Sequence, residues 1–183
     1  TDTLEITKTI YLDGCDLKKI TRGGTEILKR FVSHISDGNN NIARIYSWEK
    51  DTLGRETDNI SNKNIHYQLS NHTHSTVMEL DENGEVITYE DFFPYGGTSF
   101  IAGRNQRDIR IKNYRYNDKE RDDFTGLYYS GYRYYAHWIG GWLSPDPLGP
   151  VDSENLYLYV HNNPVNLTDP NGLGPEEEEE GGV

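Results

Sequence analysis

Two words of the same build could do chemistry: Asp146-Pro147-Leu148-Gly149 and Asp169-Pro170-Asn171-Gly172. Each has aspartate first, proline second and glycine fourth, the signature of a type I turn. On the residues alone, each aspartate is an ordinary turn residue that caps its own turn. Such a turn also fixes a carboxylate in place. The other candidates offer less. His72-Thr73-His74 alternates, so in a strand both imidazoles would share one face and could hold a metal, yet no third ligand accompanies them. Ser144 has no neighbouring base and no G-x-S-x-G elbow. Gly96-Gly97 and Gly140-Gly141 lack the following helix that a phosphate site needs. Cys15 is alone, which excludes an intrachain disulfide and a Cys-rich metal site; it reads as a reduced, buried thiol. The aromatics of 128–142 could stack on sugars, but a packed core accounts for them more simply.

The elements that must position these residues read as strands. Residues 3–12 alternate, with Leu4, Ile6, Ile10 and Leu12 on one side. Gly23-Gly24 lies between two strand-like runs and predicts a two-residue hairpin, because both glycines can take positive φ. Asp37-Gly38 predicts a further turn, and 51–63 reads as a long loop. IHYQLS, STVMELD and EVITYEDF are three more short strands, the last two joined by a tight turn at 81–84. Helix signals are nearly absent. From Tyr114 the texture becomes dense in aromatics and punctuated by glycines, which predicts strand–turn–strand with tyrosines packed across neighbours. The closing GPEEEEEGGV reads as a disordered tail. The chain opens mid-pattern and reads as a piece of a longer protein.

Composition bounds the function classes. The hydrophobic share is 34%, too low for the apolar parallel strands of a compact α/β enzyme and suited to antiparallel strands with one wet face. Fourteen tyrosines fit the half-buried surface of a sheet, where a hydroxyl can reach water. A net charge of −12 disfavours nucleic acid and anionic membranes as partners. No apolar run approaches the ~18 residues of a membrane span, and no signal peptide opens the chain. The fold class is therefore all-β, an antiparallel meander.

YRYNDKERDDFTGLYYSGYRYY (114–135), WLSPDPLG (142–149) and NLYLYVHNNPVNLTDPNGL (155–173) together resemble the Rhs repeat-associated core. Upstream, KTIYLDGCDLKKI (8–20), IHYQLSN (65–71), ELDENGEVITYEDFFPYGGTSF (79–100) and AGRNQ (102–106) are similar to words of the C component of insecticidal Tc toxins. The resemblance implies a fragment of a hollow YD-repeat β-shell, or β-cocoon. It places shell strands at 1–113, the core with its autoprotease at 114–173, and the Glu-rich tail at 174–183. It implies a secreted toxin complex: a B component completing the shell, through it an A-component pore, and an encapsulated C-terminal payload. It implies no cofactor, no metal, no nucleic acid and no direct membrane contact.

The family's self-cleavage resembles aspartyl proteolysis, in which two carboxylates share a proton, one activating water while the other polarises the carbonyl. Carried over by motif, the carboxylates are Asp146 and Asp169, Arg133 would hold one of them ionised, and the bond cut is Leu173–Gly174. One departure bears on this: the family word GRWLS reads Gly140-Gly141-Trp142-Leu143-Ser144 here, so Gly141 stands in place of an arginine. Asp152 is a nearby carboxylate that reads as a surface residue. The competing reading is a non-catalytic YD-repeat module, structural or carbohydrate-binding.

Overall fold

The computed structural model describes residues 3–38, 40–57, 59, 61 and 63–177. Four long strands open the chain: β1 (Glu5–Leu12), β2 (Cys15–Arg22), β3 (Thr25–Asp37) and β4 (Asn40–Asp51). β5 (Asn64–Ser70), β6 (Thr76–Leu80), β7 (Val86–Phe92) and β8 (Thr98–Gly103) follow, and hydrogen bonds join all eight in chain order. The first pairings are antiparallel, and Arg22 faces Thr25 across the Gly23-Gly24 turn, where both glycines have positive φ. The predicted meander is the observed one.

The chain folds as two compact units: Thr1–Leu69 with Met78–Thr88 and Gly103–Ile111, and Ser70–Val77 with Tyr89–Ala102 and Lys112–Val183. In the first, Val32, Tyr46, Trp48 and Ile111 form a small apolar core, Ile111 closing the short helix α1 (Gln106–Ile111). Around it the interior is polar. Arg44 donates to Gln68, whose amide donates to Glu79 Oε1 at 3.0 Å, and Thr88 donates to Glu79 Oε2 at 2.7 Å. The 51–63 loop is shaped by Asp51, whose carboxylate accepts the backbone N–H groups of Arg55, Glu56 and Thr57.

The second unit has shorter pieces: β9 (Glu120–Arg121), β10 (Tyr128–Tyr129), β11 (Tyr134–Ala136) and β12 (Gly141–Trp142) make one small antiparallel sheet. β13 (Leu167–Thr168) and β14 (Glu176–Glu177) make another. Its core is aromatic, with Tyr116, Tyr128, Tyr135, Trp142, Tyr159 and Val160 buried together. Alternation explains the sheet's two faces. Arg121, Tyr128, Tyr135 and Trp142 stand opposite one another across the strands; the three aromatics are buried while neighbouring Tyr134 and Leu143 are half exposed.

Three expectations are corrected. His72-Thr73-His74 is not a strand: Asn71 caps the backbone of Thr73 and Ser75, His74 has φ +55°, and His72 bonds the Val165 carbonyl. The strand predicted at 3–12 forms as β1, with Leu4 and Ile6 exposed. Cys15 is partly buried rather than buried. The tail is not wholly without structure, since Glu176 and Glu177 pair with β13; residues 178–183 lie outside the described ones.

Candidate active site

Arg133 leaves the tight turn that joins β10 to β11, where Ser130 N–H donates to its carbonyl at 3.0 Å. Gly131 takes φ +78° there, which a side chain would resist. The Arg133 side chain runs along the buried face of the small sheet, and its guanidinium lies 4.3 Å from the Trp142 ring centroid. With its plane covered, the group spends its edge on acceptors from three segments. Nε donates to the Gly172 carbonyl at 2.6 Å, and Nη1 to the Leu156 carbonyl at 3.4 Å. Nη1 lies 2.9 Å from Asp146 Oδ2 and Nη2 3.2 Å from Asp169 Oδ2. One guanidinium therefore grips both carboxylates, as a planar fork can and an ammonium cannot.

Each aspartate does reach its place through its turn. Asp146 accepts Leu148 N–H on Oδ1 at 2.8 Å, and its carbonyl accepts Gly149 N–H at 3.1 Å. Its own N–H donates to Leu156 O at 2.9 Å, so Leu156 steadies both members of the Arg133–Asp146 pair. Asp169, 3% exposed, takes Gly172 N–H at 2.7 Å and Leu173 N–H at 3.1 Å on Oδ1. Burial raises its pKa above the ordinary carboxylate value; the amides of Gly174, Gly172 and Leu173 and the Arg133 charge pull the other way and do not cancel it. The turn reading and the chemical reading thus describe the same residues.

The segment around Leu173–Gly174 is folded onto this cluster. Tyr132 N–H donates to the Asn171 carbonyl at 3.1 Å, and Leu173 N–H also meets Asn171 Oδ1 at 3.0 Å. Gly172 has φ +82°, and a Cβ there would fall 2.9 Å from Ser130 O. Only glycine fits such a place.

Gly141 is fixed by its surroundings. A Cβ at that position would sit 2.9 Å from the Tyr157 carbonyl, across the bridge to Leu158. Arg133 reaches both carboxylates without help from an arginine at 141. Asp152 stands apart as an exposed partner of His161 at 2.8 Å, and Ser144 is exposed. Among the described residues no group of histidine, cysteine and acidic side chains could hold a metal, and no helix is long and apolar enough to cross a membrane.

Sequence reasoning missed three contributors. Trp142 covers the guanidinium, and its pairing opposite Tyr135 is an alternation signal that could have found it. The Leu156 carbonyl is a backbone group and leaves no trace in residue type. Lys119 lies within electrostatic reach of Asp169; burial lowers its pKa while Asp118 and Asp169 oppose the shift.

No family model matches the chain. Toxin subunit YenC2 of Yersinia entomophaga is 41% identical over 170 residues, 93% of this chain and 17% of that subunit. The crystal structure of TcdB2-TccC3 superposes with a TM-score of 0.83 at 39% identity, covering 92% of this chain and 8% of that one. A Tc holotoxin pore of Photorhabdus luminescens gives the same TM-score at 36% identity, covering 100% of this chain and 8% of the other. The chain thus spans a small part of the relatives it matches.

Proposed function

This chain belongs to the Rhs repeat-associated core of Tc-toxin C components, and on that premise we propose that it ends a toxin-encapsulating shell and cuts itself after Leu173. Residues 1–113 are the shell strands, 114–173 the core with the protease, and 174–183 the start of what the cut releases. A B component completes the shell, an A-component pore receives it, and the enclosed cargo is the downstream payload. The complex acts outside the producing cell. Its relatives' assemblies with TcdB2 and in a holotoxin pore support this reading, as does a net charge of −12, which disfavours nucleic acid as a partner.

One observation carries the cleavage: a single Arg133 guanidinium pairs with both Asp146 and Asp169, while Asp169 Oδ1 accepts the N–H of Leu173 itself. At Asp169 burial outweighs the pull of Arg133 and of the backbone amides, so the carboxylate pair can carry one proton. Asp146, paired with Arg133, takes a proton from the attacking water as the water oxygen joins the Leu173 carbonyl carbon. Asp169, whose burial favours its protonated form, polarises that carbonyl. Collapse breaks the Leu173–Gly174 C–N bond, and the Gly174 nitrogen leaves with a proton from the dyad. The products are a Leu173 carboxylate and a new amino terminus at Gly174.

Intact mass spectrometry of the full chain tests this. A break after Leu173 that disappears in Asp146→Asn is expected. A chain that stays whole at every pH returns the cluster to a structural clamp, as a non-catalytic adhesion module would carry, and a soluble-glycan binding screen then becomes the relevant assay.

A further inference from the structure

We infer that β13 is the docking strand for the downstream side of the cut: it takes residues 176–177 by backbone pairing, and that pairing aligns the Leu173–Gly174 bond with the two carboxylates. The inference rests on the self-cleavage reading. Thr168 stands opposite Glu176 and Leu167 opposite Glu177, so the chain leaves β13, passes through 169–175 and returns antiparallel beside it. The bond to be cut lies in this connection, one residue beyond the glycine that fits against Ser130.

The upstream half of the connection is secured by Arg133 Nε on Gly172 O, Tyr132 N–H on Asn171 O, and Asp169 on two amides. On the far side of the bond the Gly174 N–H also reaches Asp169, and beyond Gly174 the hold is the β13–β14 ladder. A peptide bond whose downstream side hangs on that one amide can still swing, and a displacement of about 1 Å from the reacting groups costs on the order of a hundred-fold in rate. Tethering both sides removes that freedom.

The residues in β14 show that this hold works through the backbone. Glutamate is depleted in strands, two adjacent like charges repel, and Glu176 is exposed. Nothing in its side chain favours the pairing, so the main-chain N–H and C=O groups must supply it. This is strand addition within one chain, where main-chain bonds give the affinity and side chains the specificity. The ligand class for β13 follows: any extended peptide that can offer its backbone at 176–177, whatever its charge, and not one with proline at both places.

The test compares four full-length chains made by cell-free synthesis and sampled over time for the break after Leu173: wild type, Asp169→Asn, Glu176→Pro/Glu177→Pro, and Glu176→Ala/Glu177→Ala. The substituted pair lies downstream of the cut and outside residues 1–173. Wild type should cut, Asp169→Asn should not, the proline pair should slow by at least about ten-fold, the equivalent of one lost hydrogen bond, and the alanine pair should match wild type within about two-fold. Proline cutting at the wild-type rate overturns the alignment role and leaves the protease reading standing. Alanine slowing as much as proline overturns it too, because charge and not backbone would be the hold. An uncut wild type sinks the protease reading, and this inference with it.

Discussion

Glu56 in the first unit is one carboxylate set among donors: Arg30 Nη1 at 2.9 Å, Trp48 Nε1 at 3.0 Å and Lys18 Nζ at 3.9 Å. Arg133 in the second unit is the reverse, one cation set between Asp146 and Asp169. In both clusters loops deliver the carboxylates to a largely buried place, and both tie distant segments together. They differ in which charge is shared. Around Glu56 the cations outnumber the anion, and the cluster ties its segments together. Around Arg133 two carboxylates share one guanidinium, and burial raises the Asp169 pKa in spite of that charge. A carboxyl that burial inclines to its protonated form separates a pair able to move a proton from a clamp.

The contrast can be broken most decisively at the carboxylates. Asp146→Asn or Asp169→Asn should lower self-cleavage by about a thousand-fold or more, whereas Glu56→Gln should leave it within about two-fold and lower only the melting temperature; equal losses in cleavage would erase the distinction. Arg133→Lys comes next. It keeps the charge and loses the fork, so cleavage should fall on the order of a hundred-fold, while Arg133→Leu, which strands two carboxylates, should cost about 3–5 kcal/mol in denaturant unfolding. Gly172→Ala meets both a positive φ and the Ser130 carbonyl at 2.9 Å. It should destabilise by about 1–3 kcal/mol and slow the cut without moving its pH profile.

Acid titration sharpens the comparison with the smallest effects. Asp169 has its pKa raised by burial, so the native state holds that proton more tightly than the unfolded chain. Its contribution to stability is therefore greatest below the ordinary value of 3.8 and falls as pH rises from there through the folded pKa. Glu5 in the first unit runs the other way. Hydrogen bonds from Arg55, then Arg22, lower it from 4.5 to about 2, so its contribution is present above 4.5 and is lost as pH falls toward 2. Melting curves of Asp169→Asn and Glu5→Gln against wild type across acid pH should diverge in opposite senses. Salt should shrink the Glu5 difference, because that pair is partly exposed.

Most of the fold was legible because strand signals are local. The two glycines at 23–24 and the alternation in IHYQLS report on neighbouring residues, and local sterics enforce them. Alternation misled where tertiary context decided the outcome. His72-Thr73-His74 has the pattern of a strand, yet the Asn71 side chain captures the backbone first. The face of β1 is apolar and wet because burial depends on what covers a strand, not on its own residues.

At the candidate site the sequence by itself determined the turns, the two aspartates and the glycine that must follow the second. These are short-range matters of φ, capping and chain stiffness. It did not determine that Asp146 and Asp169 would meet on one guanidinium, that Trp142 would cover that group, or that Leu156 would lend its carbonyl to both. Nor did it show that a pair of glutamates would return as a strand beside β13. Those depend on segments far apart in the chain and on backbone groups that every residue carries. Residue type is silent about them, and only the folded packing selects which ones are used.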